Sequence, residues 1–118
     1  MNLEQHGYRL WKKGKTEDSV TMKYQKRMDI EKDFGYPLCE CNDKIFINID
    51  YHHYTFNNGM VSEGYEMNLV HGNADGYWCD LKIYSLKAED LEKNLGKFET
   101  QLLEMWKVFY NTDQNPTE

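Results

Sequence analysis

An α+β domain is the fold class this sequence predicts: a three-stranded antiparallel meander packed against one long C-terminal helix. Three observations carry the prediction. An apolar stripe recurs at helical spacing near the C-terminus, three stretches before it alternate apolar with polar residues, and the stretches are joined by segments rich in Asn, Asp and Gly.

The stripe is formed by Leu91, Leu95, Phe98, Leu102, Trp106 and Phe109, at spacings of 4, 3, 4, 4 and 3, which line one face of a helix. Ser85 is placed to cap it, and Glu89 and Asp90 sit in the first turn, where the helix dipole favours negative charge. Asn111 and Pro116 mark its exit, so the helix is expected over residues 87–110. Gly96 inside it costs about 1 kcal/mol relative to Ala and permits close approach to a neighbour.

The first strand is expected over residues 44–56, with Ile45, Ile47, Ile49 and Tyr51 on one face. The second, 64–71, aligns Tyr65, Met67 and Leu69, and the third, 76–84, aligns Tyr77, Cys79, Leu81 and Ile83. Asn57-Asn58-Gly59 and Gly72-Asn73-Ala74-Asp75-Gly76 supply residues that tolerate turn geometry, so consecutive strands pair antiparallel. A 24-residue helix spans about 36 Å and a ten-residue strand about 33 Å, lengths that match for a two-layer core.

The N-terminal segment is predicted as a helix or a hairpin. Val20, Tyr24 and Met28, then Ile30 and Phe34, fit a helix, whereas Val20, Met22 and Tyr24 also alternate as a strand. Thr16-Glu17-Asp18-Ser19 before the pattern and Gly35-Tyr36-Pro37 after it resemble start and stop signals and favour a helix over 17–33. Gly7 to Lys13 is expected to add an edge strand whose lysines discourage further pairing. Residues 1–112 form one domain on this reading, and 113–118 a disordered tail.

Net charge is −6, unevenly distributed: residues 1–37 carry 8 Lys/Arg against 6 Asp/Glu, and residues 38–118 carry 6 against 14. An acidic main body disfavours nucleic-acid phosphates and anionic membranes and favours a basic partner. Three cysteines are an odd number, and the opening Met1-Asn2-Leu3-Glu4 lacks the basic start and apolar run of a secretory signal. Reduced thiols and a soluble, cytoplasmic protein are expected. No apolar stretch approaches the ~20 residues of a membrane span.

With the aliphatic positions facing the helix, alternation places Phe46, Asp50, His52, Tyr54 and Phe56, with Glu66, Trp78, Asp80 and Tyr84, on the opposite face. Aromatic rings rimmed by carboxylates suit a partner presenting Arg and Lys. Burial of these rings beneath the N-terminal segment is the competing expectation, since monomers rarely expose large apolar patches.

Metal binding would draw on Cys39 and Cys41 with Cys79, His52, His53 and His71. The Cys-x-Cys spacing is tighter than a zinc knuckle, however, and adjacent His52 and His53 point to opposite faces of a regular strand. A nucleophilic site of Cys79 with His52 or His71 and Asp50 requires a bulge, because alternation separates Cys79 from Asp50 and His52. Asp50 and Asp80, on two strands of the sheet, form no dyad beyond two solvated carboxylates. Phosphate-cradling Gly motifs are absent from the sequence, and Arg9, Lys12, Lys13 and Lys15 around Trp11 make a weak nucleic-acid footprint.

The sequence therefore predicts a non-catalytic, cofactor-free binding module for a basic protein. By class-level analogy with toxin-neutralising proteins and phage-encoded inhibitors, the target would be a nucleic-acid-processing enzyme or a toxin. The alternatives are a metal-binding or cysteine-dependent enzyme or sensor, and a self-associating protein pairing as a homodimer.

Overall fold

A computed structural model describes residues 2–28, 44–73 and 76–114, and the side chains of these except 73, 76–80, 84, 85 and 109–114. After a short 3-10 turn at Leu3–His6 come β1 (Arg9–Lys15), β2 (Ser19–Met28), β3 (Lys44–Thr55), β4 (Val61–Asn73) and β5 (Gly76–Leu86), followed by a helix, α1 (Ala88–Gln114). The strands form one five-stranded sheet in sequence order, every neighbouring pair antiparallel.

The α+β class and the C-terminal meander agree with expectation, with two strands more than the predicted three. The extra pair replaces the helix expected over 17–33, because Ser19–Met28 is a central strand; residues 29–33 lie outside those described. The reason is local. Thr16 and Ser19 do supply capping chemistry, but it closes a hairpin: Ser19 N–H donates to Thr16 Oγ1 (3.1 Å), Thr16 N–H donates to the Ser19 carbonyl (2.8 Å), and the two hydroxyls are 2.8 Å apart. β1 is the anticipated edge strand, bulged between Leu10 and Lys12.

The turn between β3 and β4 uses Gly59 at φ +85, with Met60 N–H bonded to Asn58 Oδ1 at 3.0 Å. The helix continues to Gln114, so the first two residues of the expected tail are helical, and 115–118 lie outside the described residues. It is kinked at Asn94 (φ −119, ψ 17), whose side-chain amide donates to the Asp90 carbonyl at 3.0 Å.

The core lies between the sheet and α1. Ile45, Ile47 and Ile49 of β3 and Met67 and Leu69 of β4 meet Leu91, Leu95, Leu102, Leu103 and Trp106 of the helix, all buried. Each such side chain contributes roughly 1.5–3 kcal/mol through removal from water. Leu3 and Tyr8 join this core from the N-terminal turn, which Asn2 caps through Oδ1 and Gly7 closes at φ +89. α1 packs chiefly over β4 and β5, and toward β2 its Glu99 pairs with Lys26.

Candidate functional site

The outer face of the sheet carries the residues singled out by alternation, but less openly than anticipated. Phe46, Asp50 and Glu66 are half-buried, and His52 and Tyr54 are exposed. Asp50 pairs with Glu66 across β3 and β4, and buried Asn68 ties them together, its amide donating to Asp50 Oδ2 (3.2 Å) and Glu66 Oε2 (3.1 Å). Burial raises the Asp50 carboxyl above its ordinary range; Lys23 opposes this, Glu66 adds to it, and the Asn68 hydrogen bond and Lys82 oppose it again. With Lys23 and Lys82 acting on Asp50, the centre of this face is a mixed-charge network rather than a bare acidic surface.

Trp78, Asp80 and Tyr84 lie on β5, and their side chains are outside the described set. The register of β5 shifts between Leu69 and Val70 of its partner, so that Leu81 is opposite Leu69 but Cys79 is opposite Val70 and Trp78 opposite His71. A bulge at Asp80 thus breaks the alternation that grouped Trp78 with Asp80 and Tyr84. The bulge needed for a Cys79 nucleophile is present, yet it assembles no triad. Cys79 sits at the level of Val70 and Phe46, and Asp50 is four residues farther along β3, about 13 Å away.

His52 Nε2 is 3.2 Å from Ser62 Oγ, and His71 meets the Trp106 ring edge-on at 5.6 Å. Among the described residues no group of three or more His, Cys, Asp or Glu side chains is arranged to hold a metal; Cys39 and Cys41 lie outside those residues. No described helix is long and apolar enough to cross a membrane.

Two features stand at the end of the sheet near the β3–β4 turn, and of their residues the outer-face placement of Tyr54 and Phe56 agrees with the alternation in the sequence. The first is a set of exposed apolar side chains around that turn: Tyr54 (41% exposed) and Phe56 (48%), with their rings edge-to-face at 4.8 Å, then Met60 (65%), and Val61 (54%) opposite Thr55 on the other face of the sheet. The β1–β2 turn adjoins it, since Thr55 N–H donates to the Asp18 carbonyl at 2.8 Å, bringing exposed Glu17 and Asp18 alongside.

The second is a cleft of about 540 Å³ on the helix-bearing face, where Tyr24, Tyr51 and Tyr65 converge with Glu63 and with Lys87 and Glu89 at the start of α1. The Tyr51 and Tyr65 rings are 4.9 Å apart and inclined at 47°. The Tyr51 hydroxyl donates to Glu63 Oε2 at 2.5 Å. That bond, with burial and the charges of Glu63 and Tyr65, pushes the Tyr51 phenol up to about 12. Burial raises Tyr65 and Tyr24 as well, aided at Tyr65 by Tyr24 and Glu63 and at Tyr24 by Glu4. All three are therefore neutral hydroxyl donors at physiological pH.

The inward orientation of Tyr51 and Tyr65 was legible, but the opening was not. Its signal is compositional: along the inner face, Ile, Met and Leu give way to Tyr at a single end, as amphipathic side chains do where a core meets water.

A second concavity, about 590 Å³, runs between β5 and α1, lined by Leu81, Ile83, Leu102, Met105 and Val108. No protein-family model matches the chain, and comparisons with curated proteins and with solved structures find no match.

Proposed function

We propose that the protein is a non-catalytic binding module that engages a basic protein partner through the β3–β4 end of its sheet, occluding the partner's functional surface. The observation that carries this reading is the exposed Tyr54 and Phe56 ring pair, with exposed Met60 beyond it and exposed Glu17 and Asp18 on the adjoining β1–β2 turn, on a chain of net charge −6. Aromatic and aliphatic side chains that lose water on contact supply the affinity. The carboxylates steer a cationic surface toward them and accept paired hydrogen bonds from arginine. A nucleic-acid-processing enzyme or a toxin presents such a surface.

The test is co-purification of the tagged chain from an extract of its native host, with and without nuclease, followed by rebinding of the purified components. A stoichiometric basic protein retained after nuclease, and bound at least about tenfold more weakly by Tyr54→Ser/Phe56→Ser, supports the reading. Capture of nothing, or of a partner indifferent to that double substitution, overturns it.

Self-association is the second reading, favoured by the apolar groove alongside β5. An apolar groove of this kind can bury the matching side chains of a second copy. Light scattering over a concentration series discriminates the two, since self-association predicts a mass that doubles with concentration and falls back in Met105→Glu.

A further inference from the structure

We infer that the tyrosine cleft is the receptor for a single arginine side chain of that basic partner, its guanidinium laid against the Tyr51 and Tyr65 rings and paired with Glu63. The inference rests on the basic-partner reading and names the group that the cleft takes.

The molecule already contains the chemistry once, with its cation in place. Tyr8 donates its hydroxyl to Glu99 Oε2 at 2.6 Å, Lys26 Nζ meets the same oxygen at 3.1 Å, and that ammonium stands 5.4 Å from the centre of the Tyr8 ring. One tyrosine thus serves twice: its hydroxyl anchors a carboxylate and its face attracts the cation the carboxylate neutralises.

Tyr51 and Glu63 repeat the first half of this arrangement. Glu63 is exposed, and among the described residues it makes no ion pair. The cleft also adds a second ring, Tyr65, packed beside Tyr51, so that a planar group entering beside Glu63 has two rings in reach where Lys26 has one.

Charge and shape select a guanidinium. The cleft's formal charges are Glu63 and Glu89 against Lys87, and Glu89 and Asp90 in the first turn of α1 offset the positive end of the helix dipole. An anion would meet both carboxylates. A guanidinium is flat, stacks on tyrosine, is weakly hydrated and bonds a carboxylate through two N–H groups, which an ammonium does not. The volume, about 540 Å³, falls within the range of sites that enclose small ligands.

The experiment is an NMR titration of the whole chain with N-acetyl-arginine methylamide and, in parallel, with its neutral citrulline isostere. The expected result is saturable movement of the Tyr51 and Tyr65 ring resonances with the arginine compound. Binding should be at least about fivefold weaker for citrulline, for Glu63→Gln and for Tyr65→Leu. Tyr51→Phe, which keeps the ring and removes the hydroxyl that orients Glu63, should lie between wild type and Glu63→Gln.

Equal responses to arginine and citrulline, indifference to Glu63→Gln, or movement confined to residues outside the cleft overturns the inference. A failed titration in a chain that still captures a basic protein removes the cleft and leaves the partner reading intact. Arginine binding in a chain that captures none does the reverse.

Discussion

The hydroxyl of Tyr51 lies 2.5 Å from Oε2 of Glu63, although the two are diagonal neighbours across β3 and β4, Tyr51 being opposite Tyr65 and Glu63 opposite His53. A neutral phenol can donate this bond and a phenolate cannot, so folding holds the Tyr51 proton to about 12, above the ordinary value of 10.0. The folded-state value is the raised one. The associated stability is therefore fully present below about pH 10 and is lost as pH rises toward 12. Glu63→Gln should bring Tyr51 back toward its ordinary value and flatten stability across that window, measured by ring-carbon NMR and by chemical denaturation against pH. An unchanged titration would falsify the assignment of Glu63 as the dominant cause.

The second prediction concerns the core that holds this geometry. Ile47 and Leu102 are buried on opposing layers. Ile47→Ala or Leu102→Ala should each cost about 2–5 kcal/mol in urea denaturation, through lost transfer energy and the cavity left behind. Met105→Ala, at a 50% exposed position on the same helix, should remain within about 0.5 kcal/mol.

The third follows from the internal triad. Tyr8 is almost wholly buried, and its phenol is raised well above the ordinary range by burial first and then by the bond to Glu99 and the charge of Glu99. Glu99→Ala strands that hydroxyl and removes the counter-ion of Lys26, so it should cost about 1–3 kcal/mol and speed amide exchange at Gly7 and Tyr8. Tyr8→Phe removes the donor and its need for a partner together, and should cost less. Equal costs for the two variants contradict this account.

How far the sequence could be read depends on whether one residue pattern admits one structure. Ile45, Ile47 and Ile49 alternate too strictly for a helix, and the Leu91 to Trp106 stripe is too long for a strand, so β3 and α1 were legible within a few residues. Val20, Tyr24 and Met28 satisfy both periods, and Thr16 with Ser19 can cap a helix or close a hairpin; only pairing with β1 and β3 decides for a strand. The bulge at Asp80 is marked by neither Gly nor Pro, which is why Trp78 was grouped by a count that the register interrupts. Asp50, His52, Tyr54 and Glu66 were correctly assigned to a common face, but their burial and the nearby Lys23 and Lys82 depend on neighbouring strands. The tyrosine cleft depends on where α1 begins relative to the sheet, a long-range offset with no local signal.

Asp50 gives a fourth test. Its carboxyl is raised chiefly by burial, so the folded protein favours the protonated form. This contribution is greatest below the ordinary 3.8 and fades as pH rises through the folded value. Asp50→Asn keeps an acceptor for Asn68 and removes the charge. It should leave the protein at least as stable as wild type at pH 7, with the advantage shrinking on acidification, in thermal melts across a pH series. A loss of several degrees at pH 7 shows instead that Lys23 and Lys82 outweigh burial.

The last prediction joins the helix kink to the cleft. At Asn94 the backbone leaves helical angles while the side-chain amide donates to the Asp90 carbonyl, the acceptor that the main-chain N–H uses in a regular turn. The kink separates the first turns of α1, which hold Leu91 in the core and Lys87 and Glu89 at the cleft, from the later turns anchored by Leu102, Leu103 and Trp106. Asn94→Ala removes the competing amide and favours a regular helix. With the later turns fixed by three buried side chains, straightening must displace the earlier ones, so Leu91 loses packing while local helicity rises. The expected result is slightly stronger far-UV helical signal, a net loss of about 1 kcal/mol, and movement of the Tyr51 and Tyr65 ring resonances. Asn94→Asp keeps an acceptor but no amide donor and should resemble Ala. If Asn94→Ala stabilises the chain and leaves both tyrosines where they were, the kink has no part in positioning the cleft.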